Sequence, residues 1–177
     1  WRWWGAARTK RITHAVMDMW KPFRKSFLKR CPGVQIIYDK FHVIRHLLNA
    51  LNEVRKAELK KAGDRFRDVL AGKKFILLSR QAHVRGKARD ALSLLLRLNR
   101  RLLKAYLLKE SFERLWAYAS PTWARKFWAD WVAQLKWSRL KPYHQFAKLV
   151  EAHLEGILAY CEAPVSLGFI PAAGSSS

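Results

Sequence analysis

Two short apolar runs, each closed by an aspartate and separated by one helix-length segment, constrain this chain more than any other feature. Ile12-Thr13-His14-Ala15-Val16-Met17 ends at Asp18, and Val34-Gln35-Ile36-Ile37-Tyr38 ends at Asp39. Short apolar runs of this kind, bounded by polar and turn residues, read as strands. Between them residues 20–30 read as a short helix with Pro22 in its first turn, where the missing N–H has no helical partner to lose. Cys31-Pro32-Gly33 reads as a turn. Strand, helix and strand in this order make a parallel βαβ unit. Carboxylates at the ends of adjacent parallel strands converge at one sheet edge, so Asp18 and Asp39 are expected to meet there.

After His42 the period changes from strand to helix. Val43, Leu47, Ala50, Leu51 and Val54 recur at helical spacing. Residues 41–61 therefore read as one amphipathic helix stopped by Gly63, and 64–71 as a short helix stopped by Gly72. Residues 73–80 are ambiguous. Residues 87–118 read as helical throughout, with Leu92, Leu95, Leu96, Leu98, Leu102, Leu103, Tyr106 and Leu107 on the apolar face. Ser120-Pro121 reads as an N-cap followed by proline at the first helical position, starting a helix over 121–138, and Pro142 starts another over 142–161. Residues 1–9 read as the end of a helix broken by Gly5. The last fifteen residues, 163–177, carry no charge and end in serines, which reads as a loose tail.

Charge narrows the function. The 177 residues hold 35 Lys and Arg against 13 Asp and Glu, a formal charge of +22 spread along the chain. A folded chain this basic repels itself unless a polyanion lies nearby, and nucleic acid is the expected partner. Cys31 and Cys161 stand far apart, which excludes a disulfide scaffold or a zinc module and fits a reducing cytosol. No apolar run is long enough to span a membrane. The start, Trp1-Arg2-Trp3-Trp4-Gly5, lacks an initiator Met and the apolar core of a signal peptide, so the chain reads as one that begins inside a domain. There is no P-loop, nucleophile elbow or dinucleotide fingerprint.

Phosphodiester chemistry commonly uses two divalent cations about 3.5–4 Å apart, held by carboxylates. Asp18 and Asp39 are the candidate catalytic and metal-ligating residues. The competing reading makes each a helix N-cap, since each precedes a helical segment. Asp39, His42 and His46 have a D-x-x-H-x-x-x-H spacing that could ligate a metal. The preferred reading has His42 supporting the acid site by a hydrogen bond and His46 on the surface. Trp116, Trp123, Phe127, Trp128, Trp131 and Trp137 are interleaved with basic residues. Trp123, Phe127 and Trp131 share a helix face by i, i+4 spacing, which favours a helix-bundle core over base stacking. The candidate phosphate contacts are Arg24, Lys25, Lys40, Arg45, Arg55, Arg97, Arg100 and Arg101.

The motifs Asp18-Met19-Trp20-Lys21-Pro22-Phe23, Ile37-Tyr38-Asp39-Lys40-Phe41-His42-Val43 and Asn49-Ala50-Leu51-Asn52-Glu53-Val54-Arg55 carry a family resemblance. Leu95 through Asn99, Ala105 through Glu110, Leu115-Trp116 and His153 through Tyr160 extend it over residues 10–162. In combination these stretches resemble bacterial insertion-sequence transposases of the ISL3 type, which carry a DDE catalytic domain of the RNase H-like fold. The resemblance implies an α/β remnant plus a mostly α region: a partial RNase H-like core of strand–helix–strand over 1–40, then a helical insertion region over 41–162. It implies a triad of two Asp and one Glu binding Mg²⁺, insertion-sequence DNA ends as the partner, a homo-oligomer as a further state, and a bacterial cytoplasmic, nucleoid-associated location. Asp18 matches the family's second-strand acid, and Asp39 with His42 matches a D-x-x-H element beside the site. Which of the two aspartates is the second ligand stays open.

The departures are as informative. The family's first Asp lies on a strand upstream of residue 1, and its Glu lies in a motif after the last helix. That position here reads Val165-Ser166-Leu167-Gly168-Phe169-Ile170-Pro171-Ala172, and no Glu follows Glu162. Glu155 and Glu162 do not sit in that motif. The expectation is a truncated transposase fragment with an out-of-frame tail over 163–177, binding DNA and lacking strand transfer. The alternatives are a basic helical nucleic-acid-binding module without catalysis, in which the two aspartates point apart, and a degraded product with no stable fold.

Overall fold

Residues 12–19, 21–31, 33–63, 67–69 and 72–162 are described by the computed structural model of the chain, with the backbone alone for 21–24, 26 and 162. β1 (His14–Met17) and β2 (Gln35–Tyr38) pair in parallel, with α1 (Lys21–Arg30) between them in sequence. The register sets His14 opposite Gln35 and Met17 opposite Tyr38. The ladder runs one residue further, where the Asp39 N–H donates to Met17 O at 3.1 Å. Lys29 and Arg30 close α1, placing positive charge at its C-terminal dipole.

Helices build the rest. α2 (Lys40–Lys61) starts at an N-cap made by Asp39, whose side chain accepts from the Phe41 N–H, and ends in Lys60 and Lys61. Its buried stripe is Val43, Leu47, Ala50, Leu51, Val54 and Glu58, so the apolar spacing read from the sequence faces the core. Of the short helix expected over 64–71, residues 67–69 are described and are helical. The ambiguous stretch 73–80 contains α3 (Lys74–Leu78), and a 3₁₀ turn over Gln81–His83 follows it.

The expected continuous helix over 87–118 is two helices. α4 (Lys87–Leu98) and α5 (Arg100–Phe112) break at Asn99, followed by a 3₁₀ turn over Glu113–Ala117. Asn99 takes an extended conformation and its side chain accepts from the Leu102 N–H at 2.8 Å, an N-cap that restarts the helix. The break resets the helical phase. Leu92, Leu95, Leu102 and Tyr106 are buried as expected, while Leu98 and Leu107 are each 55% exposed. Glu58 ties the junction to α2: it accepts from Asn99 Nδ2 at 2.9 Å and pairs with Arg101 at 3.2 Å.

α6 (Pro121–Ala133) follows Ser120, whose backbone carbonyl takes the Ala124 N–H although its side chain makes no cap bond. α7 (Lys141–Glu151) and α8 (Leu154–Glu162) divide the expected 142–161 helix at a turn through Ala152 and His153. The buried stripe of α6 is Ala124, Trp128 and Trp131, and Trp123 is 61% exposed. The aromatic face is thus shifted from the expected Trp123-Phe127-Trp131 series, with Phe127 half-buried at its margin.

Phe112 sits at the centre of the aromatic core, edge-on to Trp116, Trp128, Trp131 and Phe146. The Trp131 indole N–H donates to Leu108 O at 3.0 Å and the Tyr143 hydroxyl to Ala105 O at 2.6 Å, which fixes α6 and α7 on α5. Burial pushes the Tyr143 ionisation above the usual tyrosine range. α8 lies on β2, and one apolar core runs from Met17 and Tyr38 through α2, α5, α6 and α7. The expected segments 1–9 and 163–177 lie outside the described residues.

Candidate functional site

Asp18 and Asp39 meet because β1 and β2 are parallel and in register. Each follows the last paired residue of its strand, so both carboxylates stand at the same edge. Asp39 is fully engaged: Oδ1 accepts from the Phe41 N–H at 2.8 Å and Oδ2 from His42 Nδ1–H at 2.8 Å. The Asp18 Oδ1 accepts from the Met19 N–H at 2.6 Å, and its Oδ2 faces His42 Nε2 at 3.4 Å and the Arg45 guanidinium at 3.6 Å. The His42 ring therefore spans the two carboxylates.

Asp39 is a helix N-cap, as the competing reading expects: one oxygen caps α2 and the other holds His42. Helical geometry sets this up: residues three apart share a face, so Asp39 and His42 meet, and Arg45 is one further step along. The Asp39-x-x-His42 spacing signalled the first contact. The reach of His42 and Arg45 to Asp18 comes from the other strand, and no local spacing encodes it.

His46, expected at the surface, is half-buried. It lines a cleft of about 230 Å³ with Asn49 and Glu53 of α2 and Gln145, Phe146 and Leu149 of α7. Burial lowers its pKa, with Arg45, His42 and His153 pushing the same way and Asp18 opposing. His153 is buried behind β2, edge-on to Tyr38, and its Nδ1–H donates to Leu149 O at 2.8 Å.

The expected phosphate contacts divide. Lys25, Arg97 and Arg100 are exposed. Arg45 is exposed and turned to Asp18. Arg55 donates to Asn52 Oδ1 at 3.0 Å, and Arg101 is held by Glu58 and by Arg139 O. Lys40 lies over the Trp116 ring, 5.6 Å from its centroid, and burial lowers its pKa with Arg80 adding to the shift and Glu113 opposing it. The Arg24 side chain lies outside the described residues.

Among the described residues no group of three or more His, Cys, Asp or Glu is arranged to hold a metal ion. The His42 ring stands between the two carboxylates, hydrogen-bonded to Asp39 and 3.4 Å from Asp18. Asp18, with 42% of its side chain exposed, is the more open oxygen ligand for Mg²⁺, whereas Asp39 is 18% exposed and holds a 2.8 Å hydrogen bond on each oxygen.

The ISL3-type DDE transposase family, described as a transposase, matches residues 2–173. The chain belongs to the ISL3-type transposases. The match places the chain in a DDE family, a class that uses divalent metal ions. It runs on through most of the uncharged tail. A transposase for insertion sequence element IS1001 from Bordetella parapertussis is 29% identical to this ISL3-type chain over 171 residues, covering 94% of the chain and 41% of that protein. The chain thus spans about two fifths of the length of that curated relative. No solved structure matches the chain. Among the described residues no helix is long and apolar enough to cross a membrane.

The double duty of Asp39 gives a separable outcome. Asp39→Ala is expected to lose about 1–2 kcal/mol through the missing cap, while Asp39→Asn keeps the cap, gives up the carboxylate bond to His42 and is expected to lose less. Urea unfolding of the two variants measures this, and equal losses would refute the capping role.

Proposed function

We propose that this chain carries the second catalytic acid and the helical region of a transposase acting on insertion-sequence DNA ends, and that Asp18 is that acid. The observation that carries this reading is the convergence of Asp18 and Asp39 on one parallel edge with His42 between them. Asp18 keeps an exposed carboxylate, while both oxygens of Asp39 serve α2 and His42. Asp39 is then a positioning residue: it orients the imidazole that, with Arg45, sits beside Asp18. The alternative of a basic helical module without catalysis expects the two acids to point apart, and the strand pairing argues against it.

The chemistry proposed for the longer relatives is metal-assisted attack of water, then of a 3′-hydroxyl, on phosphodiesters, with Mg²⁺ supplying nucleophile activation and charge neutralisation. In this chain Asp18 offers one ligand oxygen, and Arg45 beside it offers a cation toward an approaching phosphate. The 177-residue chain alone is expected to bind DNA without cutting it, because the two carboxylates do not share an ion position while His42 lies between them.

The test pairs two assays. In gel-shift measurements the purified chain is expected to retard DNA carrying terminal repeats. Incubation with Mg²⁺ is expected to leave that DNA intact, and Mg²⁺-dependent nicking by the chain would overturn the inactive-fragment reading. In a longer family member carrying these residues, Asp18→Asn is expected to abolish cleavage and Asp39→Asn to slow it. The reverse ranking would reassign the ligand to Asp39.

A further inference from the structure

We infer that the end of the helical bundle remote from Asp18 and Asp39 is a second DNA-contacting surface, built from the α4–α5 junction and the α6–α7 turn, which grips a strand by its phosphates and places Trp137 against an unpaired base. The inference rests on the proposed action on DNA. It adds a surface that the strand-end site does not require.

The fold brings two separate basic segments together there. α2 leaves the strand edge at Lys40, and Glu58, five turns along, contacts Asn99 and Arg101. A helix rises about 1.5 Å per residue, so this end lies roughly 27 Å from Asp39. Arg101 donates to Arg139 O at 3.1 Å and Tyr143 to Ala105 O at 2.6 Å, which locks the α6–α7 turn beside the start of α5. Arg97, Arg100 and Lys104 then stand on one side, and Lys136, Arg139 and Lys141 on the other, all exposed. Glu58 at the α4–α5 junction is buried against Asn99 and Arg101, and Asp130 of α6 pairs with Lys126.

Trp137 makes this more than a charged surface. It is 82% exposed, the highest of the exposed large hydrophobic side chains among the described residues, although Trp128 and Trp131 in the preceding helix are buried. Lys136 lies 5.4 Å from its ring centroid. An exposed indole flanked by cations matches how proteins hold single-stranded nucleic acid, by phosphate contacts along the backbone and base stacking on an aromatic ring. An anionic membrane would satisfy the cations equally well but gives no preference for an unpaired base.

The experiment is fluorescence anisotropy on the full 177-residue chain with two labelled DNA probes, a blunt duplex and the same duplex with a short single-stranded extension. Wild type is expected to prefer the extended probe by roughly tenfold, the scale of one stacked base. Trp137→Ala is expected to erase that preference and leave blunt-duplex affinity within about twofold. Arg97→Glu/Arg100→Glu/Lys141→Glu removes exposed cations that take no part in the ion pairs of the described residues. It is expected to weaken both probes at least tenfold and to flatten the salt dependence by about two to three in slope, roughly 0.9 per phosphate contact. Circular dichroism melts confirm that both variants fold.

Folded variants that bind both probes like wild type would overturn the surface while leaving the proposed function standing. Tighter binding to vesicles containing phosphatidylserine than to either probe at equal salt would also overturn it. A wild-type chain that binds neither probe would overturn both readings together.

Discussion

Gly156→Ala is expected to lower the stability of the fold by about 2 kcal/mol, and Gly156→Val by more. Gly156 lies in α8 where that helix crosses β2. A Cβ there would stand 2.6 Å from Tyr38 Cδ2 and Cε2 and 2.9 Å from Ile36 O. The tyrosine has little room to yield, being 2% exposed and edge-on to His153, and the carbonyl belongs to the strand backbone. Overpacking of this kind costs about 1–3 kcal/mol, occasionally more, and replacing a helical glycine with alanine returns up to about 1 kcal/mol of propensity. The clash wins for alanine. Valine adds bulk without the full propensity gain, so its loss is larger. At roughly 2–4 °C per kcal/mol for a chain of this size, alanine is expected to lower the thermal midpoint by roughly 4–8 °C. Gly63→Ala is the matched control, since nothing lies within 4 Å of a Cβ there. An unchanged midpoint for Gly156→Ala would refute the close approach. The strain also bears on function, because Tyr38 directly precedes Asp39 and a displaced β2 carries that carboxylate with it.

The largest loss is expected at Phe112. Its ring is fully buried, with centroids of Phe146 at 5.1 Å, Trp131 at 5.2 Å, Trp128 at 6.2 Å and Trp116 at 6.4 Å, all at steep interplanar angles. Phe→Ala in a packed core costs about 3–5 kcal/mol from lost transfer energy and the remaining cavity. The upper part of that range applies here. Edge-to-face pairs add about 0.5–1.5 kcal/mol each beyond burial, and rigid indoles collapse poorly into a void. Phe112→Leu is expected to recover about half. Chemical denaturation compared at matched slope measures both, and an alanine variant within about 1 kcal/mol of wild type would show that α5, α6 and α7 do not depend on this contact.

What could be read in advance and what could not divide along physical lines. The strand runs, the D-x-x-H spacing and the stripe of α2 are local, and each rests on a period or an end signal that a few residues carry. The split at Asn99 also had a local cause, an asparagine at a cap position, but the leucines on both sides suggested one unbroken face. Trp123 and Trp131 fit a helical stripe equally well. The choice of Trp128 and Trp131 over Trp123 depends on where α5 and α7 lie. The basic residues gave the weakest local signal. Arg97 and Arg101 look alike in the chain, yet one is exposed and the other is pinned between Glu58 and Arg139. Lys109 is an extreme case: 1% exposed, it donates to Ser79 O at 2.6 Å, pairs with Glu110 and lies over Tyr106, holding the loop after α3 against α5.

A parallel strand pair, a long amphipathic helix and a strongly basic charge all follow from residue order, because period, caps and net charge are properties of the chain. The role of each acid does not. Asp18 and Asp39 are equivalent as strand-end carboxylates until β1 and β2 come into register and His42 turns its ring between them. Only then is Asp39 consumed as cap and anchor while Asp18 stays open. The same holds for the far end of the bundle, where Arg100 and Arg139 become neighbours through helix packing alone. Contacts between distant segments are set by the geometry of the whole core, and no local pattern of residues can encode them.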